Sequence, residues 1–328
     1  MTKKMILVFP ELHPAGRAVL AARDDFEVID APFDQDGIMR TIADMDAYVV
    51  RNQPVDAALV ERGRKLGIIA RAGVGLDNLD LPALTRAGIV VCDGGTTNAQ
   101  AVVEHTFAIM LMLAKQLPAY DRGVREDRWK ELRESLAAGE LYGKKLLILG
   151  LGRVGSRIAG VANALGLDCL GCDIALSDDQ IRTLGCEPVT DWRARLGDID
   201  IVTLHVPLNA KTRGMIGPAE LARMKPTALL INCARGGIVD EPALIDALTR
   251  REIAAAGLDV TVREPLPVDD PLVTCERLVL TPHSAAGTDE TIGRTAAYCA
   301  QNVCDFFDGR LPASHIVNGL EPPRGPQG

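Results

Sequence analysis

The segment Gly150-Leu151-Gly152-Arg153-Val154-Gly155 constrains this chain more than any other. It follows the apolar run 145–149 and opens the amphipathic stretch 154–165, so it reads as strand, Gly-rich turn and helix in succession. In that context Gly150 permits a tight turn, Gly152 lets the backbone approach a pyrophosphate, and Gly155 lets the helix pack near the strand. The phosphates would lie at the positive end of the helix dipole. Asp173 closes the next strand, 168–172, about twenty residues on, where a carboxylate accepts hydrogen bonds from a ribose and repels a 2′-phosphate. Ile174, Ala175 and Leu176 offer no arginine for such a phosphate, so NAD rather than NADP is the expected cofactor.

The rest of the chain repeats the alternation. Residues 5–9, 26–29, 47–50, 68–70 and 89–92 read as strands, with helices at 15–22, 37–42, 57–66 and 81–87. Later strands fall at 199–206, 228–232, 254–259 and 278–280, with a helix at 242–249. Strand–helix alternation implies parallel sheets covered on both faces, an α/β fold of two doubly wound domains. Ligands of such sheets sit at the carboxyl ends of strands, here the loops 51–54 and 71–75. Asn98 is a candidate N-cap for a helix of about twenty residues that Pro118 would stop. Residues 123–139 are rich in charge and read as a surface or interface segment. A final helix, 289–307, is long enough to cross back to the first domain, and the tail from 318 reads as disordered.

The 328 residues suffice for two cores, and the formal charge of −8 argues against nucleic acid or anionic membrane as partner. An anionic substrate must then be held by local arginines. The longest apolar run, 107–114, is too short to span a bilayer, and no secretory signal is visible. Eight cysteines lack a framework spacing; Cys169 and Cys172 form a C-x-x-C that reads as two small residues on a buried strand, with no metal site. Reduced thiols in a cytoplasmic protein are expected.

Three further residues carry chemistry: Arg235 in Cys233-Ala234-Arg235-Gly236-Gly237, Glu264 before Pro265, and His283 after Pro282. Each follows a different strand, so the three can converge on one site. An arginine binds a carboxylate in bidentate fashion and keeps its charge. A histidine exchanges protons near neutral pH, and a neighbouring carboxylate orients its ring. Reduction of a 2-keto acid, or oxidation of a 2-hydroxy acid, needs these parts. Among the other histidines, His105 lies on an apolar helix as a packed side chain, His205 shapes the cofactor pocket beside Val206 and Pro207, and His13 and His315 carry no signal.

From about residue 47 to 307 the chain resembles the D-isomer-specific 2-hydroxyacid dehydrogenase family, most of all its phosphoglycerate dehydrogenase branch. The strongest segments are Arg71-Ala72-Gly73-Val74-Gly75-Leu76-Asp77-Asn78, the Gly-rich turn, and the run from Asn232 to Glu241. The resemblance implies a Rossmann NAD domain (99–287) inserted into a flavodoxin-like substrate domain (1–98 and 288–318), with the tail 319–328 beyond it. It implies Arg235 as substrate cation, Glu264 as partner of the histidine, and His283 as acid/base. It places Gly150, Gly152, Arg153, Val154, Gly155, Asp173, Val206, Pro207, Cys233, Ala234 and Asp259 in the NAD site, with Asp259 at the nicotinamide carboxamide. Val74, Gly75 and Asn98 would face substrate. Members are homodimers or homotetramers joined through cofactor domains.

Arg51 and Arg71 match arginines that face the phosphate in the phosphoglycerate branch. The leading expectation is therefore NAD-dependent oxidation of 3-phospho-D-glycerate to 3-phosphohydroxypyruvate, in serine biosynthesis. The alternatives are a reductase of glyoxylate, hydroxypyruvate or another small 2-keto acid, and an NAD-sensing protein like the C-terminal-binding-protein corepressors, which resemble this family. Two features depart from the branch: Ser284-Ala285-Ala286-Gly287 after His283, and an end near residue 328, which implies a short form without the regulatory domain.

Overall fold

Five strands of the N-terminal part form one parallel sheet: β1 (Lys4–Val8), β2 (Phe26–Asp30), β3 (Ala47–Val50), β4 (Ile68–Arg71) and β5 (Val90–Cys92). A computed structural model describes residues 3–135 and 138–322. By its contacts the chain divides into two units, Met1–Asn98 with Gly287–Gly328, and Ala99–Ala286.

In the first unit the strand order is β2-β1-β3-β4-β5, the flavodoxin-like arrangement. Every residue of β3 is buried, as a central strand covered on both faces requires. On one face Leu20, Ala296, Cys299, Ala300 and Val303 pack on Ile6, Val8, Val49 and Ala70. On the other, Ile38, Leu59 and Leu84 pack on Leu7, Tyr48, Val50 and Ile69. Three short helices on that face begin with aspartate caps: Asp34, Asp56 and Asp80 accept the amides of Gly37, Leu59 and Ala83. The helices Pro14–Ala21 and Asp289–Phe307 meet at Gly16, where a Cβ would lie 2.8 Å from the Ala296 carbonyl oxygen. Asn318 and Leu320, expected in the disordered tail, are instead held by the first unit. Asn318 accepts the Val91 amide at 3.1 Å and donates to the Ile89 carbonyl at 2.9 Å, and Leu320 packs against the same core. Residues 323–328, where the disordered tail is expected to continue, lie outside the described residues.

The second unit holds a seven-stranded parallel sheet: β6 (Lys145–Leu149), β7 (Asp168–Cys172), β8 (Glu187–Pro188), β9 (Ile201–Leu204), β10 (Leu229–Asn232), β11 (Ala255–Leu258) and β12 (Leu278–Leu280). Its order is β12-β11-β10-β9-β6-β7-β8, the Rossmann order 3-2-1-4-5-6 extended by one strand. The order reverses between β6 and β9, and ligands of open sheets bind beyond the carboxyl ends at that point. Hydrophobic clusters cover both faces, one around Leu147, Val202 and Leu230, the other around Ile148, Ile158 and Ile231.

Pro118 does not stop the helix that follows Asn98. That helix is Ala99–Ala114, it gives way to Gln116 at φ 52°, and Pro118 sits in the first turn of the next helix, Leu117–Arg125. Proline suits a first turn because its missing N–H would have no partner there. The charged segment beyond contains a second helix, Trp129–Glu134.

Candidate active site

The Gly-rich turn lies between β6 and the helix Gly155–Ala164. Gly150 has φ 92°, and a Cβ there would lie 2.6 Å from the His205 carbonyl oxygen and 3.0 Å from Val206. At Gly155 a Cβ would collide with the Gly150 carbonyl. Both glycines are thus required by the fold itself. Gly152 differs, since a Cβ there meets no protein atom within 4 Å. The helix N-terminus has no side-chain cap. Open space at Gly152 beside an uncapped N-terminus fits a pyrophosphate, which such amides and the helix dipole favour. Asp173 follows β7, accepting the Leu151 amide at 2.7 Å and the Ala175 amide at 2.8 Å. It therefore sits against the turn, where a ribose attached to that pyrophosphate would lie. Arg153 and Val154 belong to the turn, and Val206 and Pro207 follow β9. His205 joins the β9 end to β6 through its amide, 2.7 Å from the Leu149 carbonyl, and burial pushes its imidazole down to about 4.

Cys233, Ala234 and Arg235 follow β10. The wholly buried Asn232 shapes this loop: its Oδ1 accepts the Ala234 amide at 3.0 Å and its Nδ2 donates to the Arg235 carbonyl at 2.8 Å. Burial pushes the Cys233 thiol up to about 12, so it is neutral. Arg235 donates from Nη1 to the Ala234 carbonyl at 2.7 Å.

Glu264 and His283 meet. Glu264 Oε2 lies 2.7 Å from His283 Nδ1, and Oε1 accepts the Thr261 amide at 3.1 Å. The pair is part-exposed, and the contact on Nδ1 directs Nε2 away from Glu264. His283 adopts φ 51°, uncommon for a non-glycine residue. Asp259, just beyond β11, is 1% exposed, and its carboxylate is engaged by protein groups. Oδ1 accepts the Thr281 hydroxyl at 2.6 Å and the Ser284 amide at 2.8 Å; Oδ2 accepts the Ala285 amide at 3.0 Å. Its observed contacts fix the loop that carries His283.

Two residues of this network escape sequence reasoning. His105 is more than a packed side chain: its Nε2 is 2.9 Å from Thr281 Oγ1 and 3.4 Å from Asp259 Oδ1. Glu241 accepts the Val262 amide at 2.6 Å. The apolar neighbours of His105 conceal the first, and Glu241 enters the sequence only as the last residue of the run from Asn232, just before the expected helix 242–249. Cys169 is a buried free thiol, pushed up by a hydrogen bond with the free Cys186 thiol and by burial.

In the first unit Arg51 follows β3 and Arg71 is the last residue of β4. A Cβ on Gly73 would occupy the space filled by the Arg71 guanidinium, so the absence of a side chain there makes room for the arginine. Val74 and Gly75 lie in the loop beyond β4, tied at the Gly73 carbonyl to the Gly94 amide at 2.7 Å. Asn98 directly precedes the helix Ala99–Ala114.

Residues 107–285 match the family model for the D-isomer specific 2-hydroxyacid dehydrogenase NAD binding domain. The chain belongs to the D-isomer-specific 2-hydroxyacid dehydrogenase family. It is 40% identical over 288 residues to the D-3-phosphoglycerate dehydrogenase of Synechocystis sp., covering 87% of this chain and 51% of that protein. It is 38% identical over 292 residues to the glyoxylate reductase of Korarchaeum cryptofilum, covering 88% of this chain and 87% of that protein. The holo form of D-mandelate dehydrogenase from Rhodotorula graminis is 25% identical, with a TM-score of 0.89 over 98% of this chain and 100% of that one. The chain spans about half the length of the Synechocystis relative. Among the described residues no helix is long and apolar enough to cross a membrane.

Proposed function

We propose that this chain oxidises 3-phospho-D-glycerate to 3-phosphohydroxypyruvate with NAD, feeding serine biosynthesis. The 2.7 Å contact between Glu264 and His283 carries the reading, because it poises an acid/base in a 2-hydroxyacid dehydrogenase. When bound, the nicotinamide supplies the acceptor for the hydride from C2. His283 Nε2 takes the proton of the C2 hydroxyl, and Glu264 stabilises the resulting imidazolium. Arg235 holds the carboxylate and polarises the oxygen on C2. The unit 99–286 acts as the cofactor domain, with Gly150, Gly152, Arg153, Val154 and Gly155 around the pyrophosphate and Asp173 on the ribose. Val206, Pro207, Cys233, Ala234 and Asp259 complete its border.

The first unit acts as the substrate domain. Val74 and Gly75 offer backbone groups, Asn98 a side chain, and Arg51 and Arg71 the cations that a phosphate needs. Similarity to phosphoglycerate dehydrogenases supports the substrate. The likeness to a glyoxylate reductase over 87% of that protein favours a second reading, reduction of glyoxylate or hydroxypyruvate. Comparing kcat/KM for 3-phospho-D-glycerate with glycolate and D-glycerate separates them. A preference for an unphosphorylated acid, unchanged in Arg51→Ala, overturns the first.

The enzyme acts in the cytoplasm as a homodimer or homotetramer. Exposed Leu117 (52%), Val124 (46%) and Trp129 (66%) support association of cofactor domains, which sedimentation of the Trp129→Glu variant tests.

A further inference from the structure

The loop that carries Glu264 is held by hydrogen bonds rather than by packing. Val262, Arg263, Glu264 and Pro265 are all exposed, and Val262 is 59% exposed although it is apolar. What fixes the loop is a set of polar contacts made by Thr261 and Val262 on either side of the peptide that joins them. The Thr261 amide donates to Glu264 Oε1 at 3.1 Å, and the Thr261 hydroxyl donates to the Arg263 carbonyl at 2.8 Å. The Val262 amide donates to Glu241 Oε1 at 2.6 Å. On its other side this peptide lies directly against Gly236, the residue after Arg235, where a Cβ would collide with the Thr261 carbonyl carbon and the Val262 nitrogen.

Glu241 is a firm post for this contact. It opens the helix Glu241–Thr249, whose Asp240 cap accepts the Ala243 amide at 3.0 Å and whose Leu244, Ala247 and Leu248 are buried in the core. The Asp240 amide is itself tied to the Ile216 carbonyl at 2.9 Å. Burial pushes the Glu241 carboxyl up, and Asp270, Asp240 and Glu264 add to that push, while the Val262 amide opposes it. A carboxylate set among other acids is costly, and a short charge-assisted bond to an amide is what offsets that cost here.

We propose that Glu241 is a positioning residue for the reaction: it clamps the Thr261–Val262 peptide onto Gly236 and so sets Arg235 in register with the Glu264–His283 pair. The inference rests on the dehydrogenase reading above. Glu241 is not among the residues proposed to contact substrate or cofactor; its carboxylate is engaged on the Val262 amide. It acts through the loop, so its removal should affect kcat far more than the KM for NAD.

The test compares Glu241→Ala and Glu241→Gln in the full chain with NAD and 3-phospho-D-glycerate. Glu241→Ala is expected to lose roughly 10- to 100-fold in kcat, the scale of an ångström-sized misplacement, with the KM for NAD within about twofold. Glu241→Gln keeps an oxygen acceptor for the Val262 amide and is expected to retain most turnover. A second readout needs no turnover. The Nδ1 proton of 15N-labelled His283, held on Glu264, should give a downfield resonance in the wild type and Glu241→Gln and lose it in Glu241→Ala. If Glu241→Ala fails to fold, Glu241→Asp, one methylene too short, replaces it with the same expectation. A variant with lowered Tm but unchanged kcat and an intact resonance overturns the proposal, as does equal loss in Glu241→Gln. If the wild type oxidises no 2-hydroxy acid, the dehydrogenase reading fails, and the resonance still decides the role of Glu241.

Discussion

The backbone of His283 is set by Asp259: the His283 amide donates to the Asp259 carbonyl at 2.7 Å, and the amides of Ser284 and Ala285 donate to the Asp259 carboxylate. Three consecutive amides therefore converge on one residue at the end of β11. A left-handed residue costs of order 1–3 kcal/mol, and these bonds offset it. The side chain is oriented separately, by Glu264.

Replacing His283 with alanine should remove the acid/base and leave the turn around Gly150 intact. We expect kcat to fall by about 100- to 10,000-fold, with the Kd for NAD changed less than threefold by fluorescence titration. A large loss of NAD affinity with turnover preserved would contradict the assignment.

Asp259→Ala strands the amides of Ser284 and Ala285 and the Thr281 hydroxyl. A cost of about 3 kcal/mol or more in unfolding free energy is expected, at roughly 1–3 kcal/mol for each of the three unsatisfied groups. Urea unfolding measures it. A change below about 0.5 kcal/mol would mean that water replaces the carboxylate.

The two units were legible in the sequence to different depths. Strands such as β3 and β6 are short apolar runs bounded by turn residues, and their positions follow from that pattern. The helix after the turn, read as 154–165, is Gly155–Ala164, because glycine spacing marks its start. Pro118 misleads because proline both ends and begins helices, and only tertiary packing decides which. β8 has two residues, too few for any periodic signal. Glu264 and His283 could be named from chemistry, but His105 and Glu241 could not, since their roles exist only through contacts with residues 176 and 21 positions away.

Asp173→Ala should weaken the barrier to a 2′-phosphate by removing its negative charge. The ratio of kcat/KM for NAD over NADP is expected to drop by about tenfold or more, given roughly 1.5–3 kcal/mol for hydrogen bonds to a charged group. An unaltered ratio places the ribose partner elsewhere.

Arg51→Ala should cost about 10- to 100-fold in kcat/KM for 3-phospho-D-glycerate while changing glycolate turnover less than about threefold, because only the first substrate carries a phosphate. Equal effects on both acids would remove Arg51 from phosphate recognition.

His205 predicts a pH dependence of stability. Burial pushes its imidazole down to about 4, against about 6.5 in an unfolded chain. Between these values the unfolded chain takes up a proton that the folded one refuses. The contribution is complete above pH 6.5 and is lost as pH falls toward 4, by roughly 3 kcal/mol at most. Urea unfolding at pH 7 and pH 5 should show a smaller difference in His205→Gln than in the wild type.

The strand order of the second sheet also acts as a ruler. β7, which leads to Asp173, lies three to five strand spacings from β10, β11 and β12, which lead to Arg235, Glu264 and His283. At about 4.8 Å per strand the two ends stand roughly 14–24 Å apart. A mononucleotide is too short to touch both, so under the proposed function, with ribose recognition at one end and chemistry at the other, the site would select for the length of the whole dinucleotide.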